Sequence, residues 1–181
     1  MKILKVIGLT CIAVLAVISS LWWGCGPHRP SDESLEKQFT KQRPNFERLV
    51  KMMDEDWQMS RVAPDFTWRQ DNLRWLRPES EWGISRQRWN EYRRMFVETG
   101  LKNGTTRREH SSDVLLDVWT WGIVPSGVSV SFLYCEPPRN GYTHTEPPCN
   151  EKSDSGRADG NGNAYHYKKI AQDWYIIEES N

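Results

Sequence analysis

From Val6 to Trp23 the chain runs through 18 residues without a charge, and this run divides the sequence before any fold can be considered. Lys2 and Lys5 precede it and no acid does, so the N-terminus has the form of a secretory signal: a positive start, then an apolar stretch. The two lysines stay in the cytoplasm and everything after the run is sent outward. The run is also close to the shortest helix that spans a bilayer, so it can serve as an uncleaved anchor. It has no polar face, which argues against a helix on the surface of a core. Residues 1–24 are therefore assigned to a signal peptide or membrane anchor and 25–33 to a tether. Residues 34–181 form one domain, because a chain of 181 residues supplies a single core.

The run ends in Leu21-Trp22-Trp23-Gly24-Cys25, which resembles the lipobox of bacterial lipoproteins. The resemblance implies that Cys25 is acylated, with palmitate among the expected acyl chains, and becomes the mature N-terminus. It places the protein in the bacterial cell envelope, membrane-anchored with the domain in the periplasm or outside the cell. It covers the leader and does not extend to the domain.

Cysteine usage is consistent with that address. Cys11 lies inside the apolar run, Cys25 takes the lipid, and Cys135 and Cys149 remain. In an oxidising compartment that pair reads as a disulfide, closing a loop of about 15 residues and contributing roughly 3 kcal/mol through the unfolded chain. A metal site of Cys135, His144, Cys149 and His166 lacks the close ligand pairs of zinc sites, so no metal is assigned.

The chain carries 24 basic and 24 acidic residues, which removes the excess expected of a dedicated nucleic-acid binder. The balance hides a gradient, with 17 basic against 14 acidic residues from Cys25 to His110 and 5 against 10 from Ser111 onward. A basic half packing against an acidic half is one reading of this gradient. The other is a dipolar surface that orients the protein at a membrane or against a partner.

Within the domain, Leu35, Phe39, Phe46, Leu49, Val50, Met53 and Trp57 recur at helical spacing. Ser31 or Asp32 caps the start, and Pro44 predicts a kink or two helices meeting at Arg43. The Asp54-Glu55-Asp56 run ends this helix at the pole where negative charge is disfavoured, with Arg61 nearby to compensate. A second helix is predicted from the Ser85 cap to Thr99, ended by Gly100, with Ile84 and Trp89 as its hydrophobic staple. A short strand is expected around Phe66 to Trp68. After Asn103-Gly104 the period becomes two. Four strands are predicted, at Val114 to Ile123, Val128 to Cys135, Tyr165 to Ile170 and Trp174 to Glu178, forming an antiparallel meander with one buried and one more exposed face. Between them, 136–163 reads as a long mobile loop rich in Pro, Gly, Asn and Ser.

Together these elements predict an α+β domain, with two N-terminal helices packed on a C-terminal four-stranded antiparallel sheet. The element order resembles the cystatin- or NTF2-like class, without a motif to support it.

Several catalytic signatures fail. Ser34-Leu35-Glu36-Lys37 lacks the partner motifs of penicillin-recognising enzymes. Asp159-Gly160-Asn161-Gly162-Asn163 starts like a calcium loop, but Ala164 and Ile170 stand where its glycine and terminal glutamate belong. No catalytic residue and no cofactor is assigned.

What remains is Trp68, Trp75 and Trp82 interleaved with arginines that include Arg74 and Arg77. Aromatic planes beside guanidinium groups suit sugar rings, as in peptidoglycan, or the hot spot of a partner protein. The same tryptophans can instead pad the core with arginines lying over them. Trp57, Trp89, Trp119 or Trp121, and Trp174 fall on periodic elements as core candidates. The leading functional expectation is an envelope lipoprotein that binds a protein or cell-wall partner without catalysis. The alternatives are a toxin-immunity lipoprotein and a small cell-wall hydrolase, since paired carboxylates need no sequence motif.

Overall fold

The computed structural model describes residues 28–70, 78–107, 113–123, 126–135, 157–158 and 163–180. Helix α1 spans Asp32–Glu55, and Ser31 caps it by accepting from the Ser34 N–H. It runs unbroken past Pro44, which lies on its exposed side, so the two-helix alternative does not occur. Leu35, Phe39, Phe46, Leu49, Val50, Met52 and Met53 turn inward. Helix α2 spans Arg86–Thr99 between the Ser85 cap and Gly100, whose φ of +78° ends it in a left-handed turn.

Among the described residues, eight strands make one antiparallel sheet. They are β1 (Met59–Val62), β2 (Thr67–Arg69), β3 (Gly104–Arg107), β4 (Val114–Ile123), β5 (Ser126–Tyr134), β6 (Arg157–Ala158), β7 (Ala164–Ala171) and β8 (Trp174–Ser180). Their spatial order is β2-β1-β3-β4-β5-β8-β7-β6. This overturns the expected four-stranded, C-terminal sheet and, with it, the cystatin- or NTF2-like arrangement: two strands lie between the helices in sequence and a third follows α2. The short strand expected around Phe66 to Trp68 is β2, one residue further on, while the missed strands β1, β3 and β6 hold 4, 4 and 2 residues, too few for alternation to show. Nor is the sheet a meander. The last hairpin enters reversed, so β5 pairs with β8 (Phe132 opposite Ile176, Tyr134 opposite Trp174) and β7 lies beyond. Residues 136–156 and 159–162 of the expected loop lie outside the described residues, while Arg157 and Ala158 pair with Tyr165 and Ala164 at the sheet edge.

The main core lies between the helices and one sheet face. At its centre Phe39 meets Phe132 and Trp174 at ring-centroid distances of 5.7 and 5.2 Å, and Phe46 meets Phe132 at 4.9 Å. Aromatic pairs at such spacing add to area burial. Trp119 and Trp174 are core residues, as their strand positions imply, and Trp89 packs against the core while donating to the Ala63 carbonyl. Trp57 is 60% exposed, against expectation. The helix ends two residues earlier, so its period no longer governs where Trp57 points.

A second, smaller cluster of Leu133, Cys135, Tyr167, Tyr175 and Ile177 sits on the opposite sheet face. β5 is therefore buried on both sides at its centre, not on one. Ser131, Leu133 and Cys135 on one side are buried along with Val130 and Phe132 on the other.

Candidate binding face

The sheet face turned away from the helices carries the candidate site. Pairing of β1 with β2 sets Arg61 opposite Trp68, and pairing of β1 with β3 sets Arg61 opposite Thr106. Because side chains alternate along a strand, Asp117 on β4 and Ser131 on β5 come to the same face, while their neighbours Leu116 and Phe132 enter the main core.

The Arg61 guanidinium lies 5.4 Å from the Phe66 ring centroid and 5.6 Å from that of Trp68, and the two rings are 5.1 Å apart. Its Nη2 also reaches Asp117 Oδ2 at 3.4 Å. Thr106 Oγ1 donates to the same oxygen at 3.3 Å, and Ser131 Oγ donates to Oδ1 at 2.9 Å. Burial pushes the Asp117 carboxyl above its usual range; the Arg61 charge and the two hydroxyls pull the other way without cancelling it. Further along this face Tyr165 donates to Glu179 at 3.3 Å. The face thus runs from an aromatic pair, through a polar cluster, to the second hydrophobic cluster.

Of the residues singled out in the sequence, Trp68 belongs to this face. Trp82 does not: it packs edge-on against Trp89 of α2 at 4.7 Å, with Arg86 over its ring, on the helix side of the sheet. Trp75, Arg74 and Arg77 lie outside the described residues, as do Cys25 and Cys149. Cys135 is buried in the second cluster with its sulfur in a disulfide.

Sequence reasoning missed Asp117, Thr106 and Ser131, and gave Arg61 the wrong partner. The signal for Asp117 was a lone carboxylate between Leu116 and Val118 in an apolar strand, a position that demands a partner once the strand is buried. Arg88 and Arg107 compensate the acids at the end of α1 instead. Arg88 donates to Asp56 and Glu55, both at 2.7 Å, and to Glu91 at 3.1 Å, while Tyr92 donates to Asp56 at 3.0 Å. Arg107 reaches Asp54 at 2.7 Å.

Two open clefts among the described residues are further candidates. One, of about 310 Å³, lies between α1 and the β7–β8 turn, beside Arg43, Asp54 and Asp173. The other, of about 330 Å³, lies where the chain enters the domain, beside Arg29, Lys168 and Glu178. Ion pairs form part of each wall, Arg43 with Glu47 in the first, which Lys51 also lines, and Arg29 with Glu178 in the second.

Comparisons with known proteins give no match: no family model, no curated protein and no solved structure aligns with the chain.

Proposed function

We propose that the chain is a membrane-tethered envelope lipoprotein whose domain binds a partner through the outer sheet face, without catalysis. The observation that carries this reading is the Phe66–Trp68 pair under Arg61, backed by buried Asp117, on a sheet face the helices do not cover. Tryptophan and arginine dominate binding hot spots, and a guanidinium locked by a buried carboxylate loses little freedom on binding. A protein partner suits this surface better than a glycan. Arg61 already stacks over both rings and takes the faces a sugar would use. The leader supports the tether: a positive start, a long apolar run and a lipobox-like end at Cys25.

Photo-crosslinking in living cells tests the reading. A photoreactive residue at position 68 should give a protein adduct of defined mass, and one at the exposed outward position 97 of α2 should not. Adducts at 97 alone would sink it, and loss of intact peptidoglycan binding in Trp68→Ala would redirect it to a cell-wall partner.

A further inference from the structure

We propose that the outward face of α1, through Lys41, Arg48 and Lys51, docks on anionic lipid headgroups of the membrane that holds the N-terminus. This rests on the tether reading above and adds a surface, an orientation and a lipid class.

The first support is a ledger of charges on one helix. Six acids lie on α1, and each has a cationic partner. Asp32 and Glu36 meet Lys168, Glu33 meets Lys37, Glu47 meets Arg43, Asp54 meets Arg107 and Glu55 meets Arg88. Of the five cations on α1, Lys37 and Arg43 are taken by those pairs. Lys41, Arg48 and Lys51 are exposed and have no ion pair among the described residues. With Pro44 they stand at helical spacing on one stripe, opposite the buried Leu35, Phe46, Leu49 and Met53. A helix of nearly balanced composition thus presents a net positive face. On the outward side of α2, Val97 is 84% exposed, an apolar side chain suited to a lipid interface.

The second support is reach. Arg29 is fixed to the domain, its Nε donating to Glu178 at 2.6 Å and its Nη2 to Asp32 at 2.9 Å. Only three residues separate it from Cys25, and the four fully extended steps between them cover at most about 14 Å. An acyl chain on Cys25 therefore holds the start of α1 close to the headgroups, and a domain held there can lean its free cations onto them. Each cation near an anionic surface strengthens binding about fivefold, so three give roughly a hundredfold preference, which salt screens. In this orientation the opposite sheet face, with Arg61 and Trp68, is turned away from the membrane toward a partner.

The test uses the full chain extracted from membranes and placed in vesicles of phosphatidylcholine alone or of a phosphatidylglycerol-rich mixture. Amine acetylation of each lysine is read by mass spectrometry. Lys41 and Lys51 should label several-fold more slowly in the anionic vesicles and recover in high salt, while Lys169 on the outer sheet face labels alike in both. In the combined Lys41→Gln, Arg48→Gln, Lys51→Gln variant, Lys37 on the same stripe should label at its phosphatidylcholine rate. Equal labelling of Lys41 and Lys51 in both vesicles overturns the docking. So does equal protection in both, which would point to a second copy of the chain on the stripe. Flotation with phosphatidylcholine vesicles reads the tether alone: a chain that does not float overturns the tether and this proposal with it, whereas one that floats without lysine protection overturns the docking only.

Discussion

Replacing Gly104 by alanine should destabilise the domain far more than the same change at Gly100, although both residues have left-handed backbones, with φ of +87° and +78°. The left-handed penalty for a Cβ, about 1–2 kcal/mol, is common to both. At Gly100 the new methyl meets only the Gln38 amide nitrogen at 3.4 Å, the end of a flexible side chain, so little is added. At Gly104 it would overlap the Val62 carbonyl oxygen and lie 2.8 Å from Ala63 Cα, both backbone. Strand β3 then has to move away from β1, which adds roughly 2 kcal/mol of overpacking strain and brings the total to roughly 3–4 kcal/mol. For a domain of this size each kcal/mol lowers Tm by about 2–4 °C, so Gly100→Ala should fall by about 4 °C and Gly104→Ala by about 10 °C. Thermal unfolding followed by circular dichroism reads both. The same β1–β3 register sets Arg61 opposite Thr106 beside Asp117, so Gly104→Ala should also weaken partner binding. Equal Tm shifts for the two variants would refute the claim that this close approach fixes the register.

Two further variants probe the charged clusters. Arg88→Ala leaves Asp56, 15% exposed, with Tyr92 as its hydrogen-bond donor; breaking a buried pair costs several kcal/mol, and partial exposure discounts this to about 2 kcal/mol, measured as a lowered urea midpoint at unchanged slope. A midpoint shift no larger than that of Arg94→Ala, an exposed arginine 3.9 Å from Glu98, would contradict it. Asp117 binds its proton more tightly folded than unfolded, so its charged form opposes folding, and stability falls as pH rises from the ordinary aspartate range through the folded value. Asp117→Asn should remove that contribution, and the stability of the wild type relative to the variant should decline with rising pH across this interval. Parallel pH profiles by urea denaturation would show that Asp117 is not the titrating group.

The helices were legible because their signals are local. Ser31, Ser85 and Gly100 act where a cap must act, and the inward stripe from Leu35 to Met53 follows the helical period. Strands β4, β5, β7 and β8 were legible by alternation, but their order was not, because nothing in the residues of a hairpin states which of its strands will join the sheet. The short strands β1 and β3 and the Asp117 cluster depend on pairings 56 or fewer residues apart that no local pattern encodes. Trp68 lies off the main core, and the arginine over it is Arg61 from the neighbouring strand, not one beside it in sequence.

Location underlies both the proposed function and the docking of α1, and mass spectrometry of the N-terminal peptide from membrane-extracted protein tests it most directly. The expected result is a mature chain that begins at Cys25 and carries acyl chains there. A chain that retains Met1, or one cleaved with Cys25 unacylated, would contradict it.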